Sequence, residues 1–335
     1  MVVDLLMDPG IIAAVQNFSP GLTIGMTKGE ILDTMPWYLL VFSLITFGLH
    51  PRFGMRLATL FGINVGLNEA VKLAFHLPRP YWVSDVVSAA SAHSSFGFPS
   101  GAAQYGIVVY GYIAVTIRRF WVVLLCIILL LLTSFVRIFS GIHFFLDMIG
   151  GWIIGLLLLS AFLLLVPKVE EYAPRLSRPV RIALIFLVST IPLILAIPGL
   201  LSLDDWQIPT LWLELAKMQT GKVIHPDMIQ FSCGAAGIIL GSLLGYEFLS
   251  SQGGWNPPEE RKIRILVVIV GTIAVLLFNA LLQTGFKGIG FTSVSPLLET
   301  FLRMTVVLFW LIGCVPLLAK KAGYSESEPD TDKTI

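Results

Sequence analysis

Apolar stretches long enough to be helices of about 20 residues recur from residue 36 to residue 319, and no other feature constrains this chain more. A hydrocarbon layer about 30 Å thick is crossed by roughly that many helical residues, so a chain built this way belongs in a bilayer. The stretches stand at 36–50, 56–77, 100–117, 120–136, 144–166, 181–203, 231–249, 265–284 and 299–319, and the first is short enough to be re-entrant. Composition agrees. A chain of 335 residues that is 56% hydrophobic and 13% charged, with a mean hydropathy of +0.85, cannot bury its apolar surface in one water-soluble core. Unpaired backbone groups are costly in lipid, so the fold expected is all-α: a polytopic membrane bundle of about nine transmembrane helices.

The chain divides in order into an interfacial N-terminal segment (1–35), a helical core (36–166), an additional four-span membrane region (167–319) and a polar, acidic tail (320–335) expected to be disordered. In the first segment Leu5, Leu6, Ile11, Ile12, Val15 and Phe18 recur at helical spacing. That pattern suits either a helix lying in the membrane interface or an apolar tail packed on the bundle. With Asp4 and Asp8 in place of a basic n-region, the segment reads as retained rather than as a signal peptide. Cys126, Cys233 and Cys314 are isolated inside apolar stretches and read as buried thiols.

Nine spans sort the connecting segments onto two faces. One carries Arg52, Arg56, Arg118, Arg119, Lys168, Arg175, Arg178, Arg181, Arg261, Lys262, Arg264, Lys320 and Lys321. The other carries Lys28, Lys217, Lys222 and Lys287, with Arg79 and Arg137. Positive loops remain in the cytoplasm, which places the C-terminus inside and the N-terminus outside.

Three groups of polar residues then fall on the extracytoplasmic face. Asn64, Asn68, Glu69 and Lys72 share one side of the second span, and ionisable groups inside a span mark a cavity with a function. Arg79 follows two turns later, and Pro80 ends the helix. Pro99-Ser100-Gly101 opens the third span, where free N–H groups and the helix dipole favour an anion; taken alone the triplet is also an ordinary helix start. Arg137 precedes His143 and Asp147, which are four apart and share a helical face if a span begins just before them. A carboxylate beside an imidazole fixes its tautomer, as a nucleophile or base requires. Phosphoryl transfer spreads charge over three equatorial oxygens, so Lys72, Arg79 and Arg137 supply what such a reaction needs most.

Lys-x6-Arg-Pro, Pro-Ser-Gly and Arg-x5-His-x3-Asp, in this order across residues 72–147, resemble the signature of the type 2 phosphatidic acid phosphatase superfamily. The resemblance implies a membrane phosphatase needing neither cofactor nor metal. In it His143 attacks phosphorus to form a phosphohistidine and Asp147 orients His143, while Lys72, Arg79, Ser100, Gly101 and Arg137 bind the phosphate. Two positions depart from the pattern. Val136 precedes Arg137 where the family usually has serine, which leaves the charge intact. Ala102 follows Pro-Ser-Gly where the family has the histidine that protonates the leaving oxygen, a role worth about 10²- to 10⁴-fold, so an inactive or impaired chain is expected.

His93 lies on the same face and reads as a loop residue; His50, His76 and His225 receive no role. The segment 204–230, with Trp206 and Trp212, is long for a connection and is expected to be an interfacial lid. The partners implied are the lipid bilayer and a phosphate ester, with no nucleic acid. A lipid phosphate is favoured because a site among spans can be entered sideways from the bilayer. Arg-Pro-Tyr-Trp after the first motif also resembles the glucose-6-phosphatases, which makes a soluble sugar phosphate the alternative. A non-catalytic phosphate-binding protein or transporter is a third reading, although no repeat relates the two halves.

Overall fold

In a computed structural model, which describes residues 2–18, 20–204, 206–226 and 229–326, every regular element among the described residues is a helix. Among the described residues six helices are long and apolar enough to cross a membrane, or up to seven if the bent pair Gly25–Asp33 and Met35–Gly48 is one span. Two further expected spans are helices as well. Gly101–Ile117 is a shorter apolar helix, and Pro51–Phe75 is a 25-residue helix that carries Arg52, Arg56, Glu69 and Lys72.

The chain forms two compact units. The first holds Met1–Thr34, Asn64–Arg175 and Pro192–Ser232; the second holds Met35–Ile63, Leu176–Ile191 and Cys233–Ile335. Residues 192–232, which sequence order assigns to the additional membrane region, therefore belong with the motif-bearing unit.

In the first unit the Gly101–Ile117 helix packs between Phe120–Phe139 and Phe145–Tyr172. Glycine allows the closest of these approaches. A Cβ at Gly151 would lie 2.7 Å from the Ser100 carbonyl oxygen, and one at Gly155 would lie 2.9 Å from that of Gln104. The small-xxx-small spacing of Gly151 and Gly155 is the pattern that lets helix backbones meet in a membrane, where dispersion contacts rather than water exclusion hold helices together. Phe120–Phe139 buries Thr133, Ser134 and Arg137 and turns Leu124, Leu125, Ile127 and Ile128 outward. An exposed apolar face of this kind is what lipid solvates.

The Pro9–Phe18 helix sets Ile12 into a core with Leu73, Tyr81, Trp82, Phe96 and Phe144. This helix is therefore packed on the rest of the first unit. The amide of Gln16 fastens it further, donating to the carbonyls of Ser88 at 2.7 Å and Phe139 at 3.0 Å.

In the second unit Met35–Gly48 packs on Arg261–Gly288, with Gly271 against the Phe47 ring. Charged side chains in this unit pair with one another. Glu247 takes Arg181 at 2.7 and 3.1 Å, while Arg303 reaches Glu299 at 2.7 Å and the Asn279 carbonyl oxygen at 3.0 Å. Part of the stretch expected to be a disordered tail is ordered: Val315–Lys321 is helical and the Tyr324 carbonyl accepts from the Trp255 indole at 2.7 Å. Residues 327–335 lie outside the described residues.

Candidate active site

The three motifs meet inside the first unit. Lys72 rides on the last turn of Pro51–Phe75, with Arg79 just before the short Pro80–Val83 helix. Ser100 caps Gly101–Ile117, and Ala102 lies in that helix's first turn. Arg137 ends Phe120–Phe139, and His143 stands in the turn before Phe145–Tyr172, whose first turn carries Asp147. All are buried except Gly101, which is partly so.

His143 and Asp147 pair as their spacing suggests, with Nδ1 of the ring 3.1 Å from Oδ2 of the carboxylate. The same Oδ2 accepts the Phe144 N–H at 2.8 Å, which fixes the carboxylate at the helix start. Nδ1–H is thus the donor to Asp147, and the lone pair of His143 lies on Nε2, 3.2 Å from a terminal nitrogen of Arg79. Burial pushes the His143 imidazole well below its ordinary value, and Arg79, Lys72 and Arg137 act in the same direction. That direction favours the neutral ring, with its Nε2 lone pair facing Arg79.

Loop 84–99 wraps the cations. Lys72 donates to the Phe96 carbonyl at 2.7 Å; Arg79 donates to the Ser95 carbonyl at 2.7 Å, the Ser95 hydroxyl at 3.0 Å and the Ile142 carbonyl at 2.9 Å. Neutral carbonyls orient these side chains without cancelling their charge. Ser100 and Asp147 are linked by the Ser100 N–H donating to the Asp147 carbonyl at 2.9 Å. The Ser100 hydroxyl and Asp147 Oδ1 are buried with no hydrogen-bond partner among the described residues. A buried hydroxyl without a partner is costly, and an anion among these groups would satisfy it.

Two residues at the site were not legible in the sequence. Arg137 is hydrogen-bonded to Asp33 and lies 3.9 Å from Glu30, both on the Lys28–Asp33 turn of the N-terminal segment. Lone carboxylates in an irregular segment about a hundred residues away carry no periodic signal. The 204–230 segment returns to the same place: Trp212 contacts Trp82 at 5.9 Å, and Trp206 contacts Phe96 at 5.4 Å and His76 at 5.2 Å between ring centroids. The Gln219 side chain ties it to the loop by accepting from the Ala89 N–H and donating to the Ser84 carbonyl, both at 3.1 Å.

Residues 53–171 match the family model described as the PAP2 superfamily, and residues 233–327 match that of the PAP2 superfamily phosphatase transmembrane extension. Together they cover well over half of the chain. It belongs to the PAP2 superfamily. No curated protein and no solved structure matches it. As a PAP2 superfamily member it is an integral-membrane phosphatase, a phosphoric monoester hydrolase acting on a phosphate ester. The first match contains every motif residue from Lys72 to Asp147. Among the described residues of this PAP2 protein, no group of three or more His, Cys, Asp or Glu side chains is placed to hold a metal ion.

Proposed function

We propose that the protein hydrolyses a lipid phosphate monoester at the extracytoplasmic face of its membrane through a phosphohistidine on His143. The observation that carries this reading is the 3.1 Å pairing of His143 Nδ1 with Asp147, which leaves Nε2 directed among buried cations. In this role Lys72, Arg79 and Arg137 take the phosphoryl oxygens, with the Ser100 hydroxyl and the Gly101 backbone at the helix start completing the cradle. Nε2 attacks phosphorus opposite the ester oxygen, and water then hydrolyses the phosphohistidine. Asp147 stabilises the imidazolium that forms. Ala102 cannot supply the leaving group's proton, so the family's own route is impaired by about 10²- to 10⁴-fold on esters of poorly acidic alcohols.

The lipid preference rests on the surroundings of the site. Phe120–Phe139 delivers Arg137 from a helix whose outer face is apolar and exposed, so a substrate with acyl chains can approach from the bilayer. Phosphate release by the purified full chain in detergent, measured with short-chain phosphatidic acid and with glucose 6-phosphate, tests this. The lipid ester should give the larger kcat/KM, and a preference for the sugar phosphate would overturn the lipid assignment.

A further inference from the structure

We propose that His93 is the proton donor to the leaving oxygen, standing in for the histidine that the family pattern has at position 102. The inference rests on the phosphatase reading above and supplies the group that reading lacks.

His93 sits in the middle of the stretch that engages the cations. Two residues after it, Ser95 binds Arg79, and the next carbonyl, that of Phe96, binds Lys72. Two residues before it, the Ser91 hydroxyl donates to Glu30 at 3.2 Å, and Glu30 faces Arg137. The backbone of His93 is clamped from both sides by one buried phenol: its N–H donates to the Tyr81 oxygen and the Tyr81 hydroxyl donates to its carbonyl, each at 3.0 Å. Its ring Nε2 lies 3.0 Å from the Ser91 oxygen. Since the one Ser91 proton goes to Glu30, Nε2–H is the donor to Ser91. Nδ1 then carries the lone pair of the neutral ring and has no protein partner among the described residues. In the imidazolium, Nδ1–H is the proton free to leave.

The other candidates are committed elsewhere. The buried Gln104 amide donates to Asn64 and accepts from Asn68, and His76 stacks between Phe96 and Trp206. Electrostatics fits a donor that is charged by its substrate. In the free protein, burial together with Arg79, Arg137 and Lys72 holds the His93 imidazole well below its ordinary value. A phosphate dianion among those cations offsets their field, while Glu30 beyond Ser91 remains, so substrate binding favours the imidazolium.

The step balances. His143 Nε2 forms the P–N bond as the P–O ester bond breaks, and the ester oxygen leaves with the electron pair and takes the proton from His93 Nδ1. In the second half neutral His93 accepts a proton from the attacking water, and the P–N electron pair returns to His143. Ester and water become alcohol and phosphate.

An aryl ester separates donor chemistry from binding, because a p-nitrophenolate leaves without a proton. In the full-length protein, His93→Asn and His93→Gln should each lower turnover of short-chain phosphatidic acid by about 10²- to 10⁴-fold and of p-nitrophenyl phosphate by less than about 10-fold. Vanadate binding, which does not require the proton donor, should survive and so report a folded site. Ala102→His should restore the alkyl ester in the His93→Asn background and add little when His93 is present. Equal losses on both esters, or no loss on the alkyl ester, would overturn the assignment. If the unaltered chain cleaves neither ester, the phosphatase reading falls and this inference falls with it.

Discussion

Arg137 already holds a carboxylate in the free protein, and that sets a competition at the scale of single residues. A phosphate oxygen arriving at Arg137 must displace Asp33 or share the guanidinium with it, whereas the hydrogen-bond partners of Lys72 and Arg79 are carbonyls, the Ser95 hydroxyl and the His143 ring, none of them a carboxylate. Asp33→Asn is therefore expected to tighten vanadate binding about 3- to 10-fold, roughly 1 kcal/mol, because it frees a guanidinium now paired with a carboxylate. Weaker binding in calorimetry would mean that Asp33 positions Arg137 rather than competes for it. The depressed His143 gives a second expectation. A nucleophile works unprotonated, so activity is kept until the pH falls through its folded value, which lies below 6.5. The acid limb of kcat/KM for p-nitrophenyl phosphate should fall below that pH, and a limb above it would place the ring in a more solvated setting.

Between elements, the site depends on how closely Phe145–Tyr172 approaches the start of Gly101–Ile117. The Gly151 position abuts the Ser100 carbonyl, a backbone atom that cannot rotate away. Gly151→Ala is expected to push the two helix starts apart, costing about 1–3 kcal/mol and weakening vanadate binding along with thermal stability. An unchanged melting temperature and affinity would show that the contact has slack. Helix identity here was legible because apolar runs of span length admit few alternatives, and the His143 and Asp147 pair was legible because four residues return to one helical face. Gln16, Glu30 and the 84–99 loop were not. Their partners are backbone groups and charges far along the chain, and such contacts leave no repeat in the sequence. Trp206 and Trp212 were legible as unusual in a long connection, but their ring contacts with Phe96 and Trp82 depend on loop paths that no local pattern encodes.

Across the whole molecule, the account requires the motifs to share one membrane face. On the proposed reading of the basic loops that face lies outside the cytoplasm, and exposed positions near each end test it. In a chain lacking Cys126, Cys233 and Cys314, Asp85→Cys should react with an impermeant maleimide on intact cells, while Glu171→Cys should react only after permeabilisation. The reverse pattern would turn the site to the cytoplasm. Nine apolar runs were readable, but among the described residues six helices, or up to seven, are long and apolar enough to cross a membrane; Pro51–Phe75 carries Arg52, Arg56, Glu69 and Lys72, and Gly101–Ile117 is short. A span that lines a polar site gives up apolar character, so function blurs the signal that marks it. The central claim is that His143 takes the phosphoryl group, and trapping the intermediate tests it most directly. Labelled p-nitrophenyl phosphate, quenched in base within one turnover, should leave acid-labile phosphate on His143 that is absent from His143→Ala. Turnover persisting in His143→Ala, or label on any other residue, would contradict it.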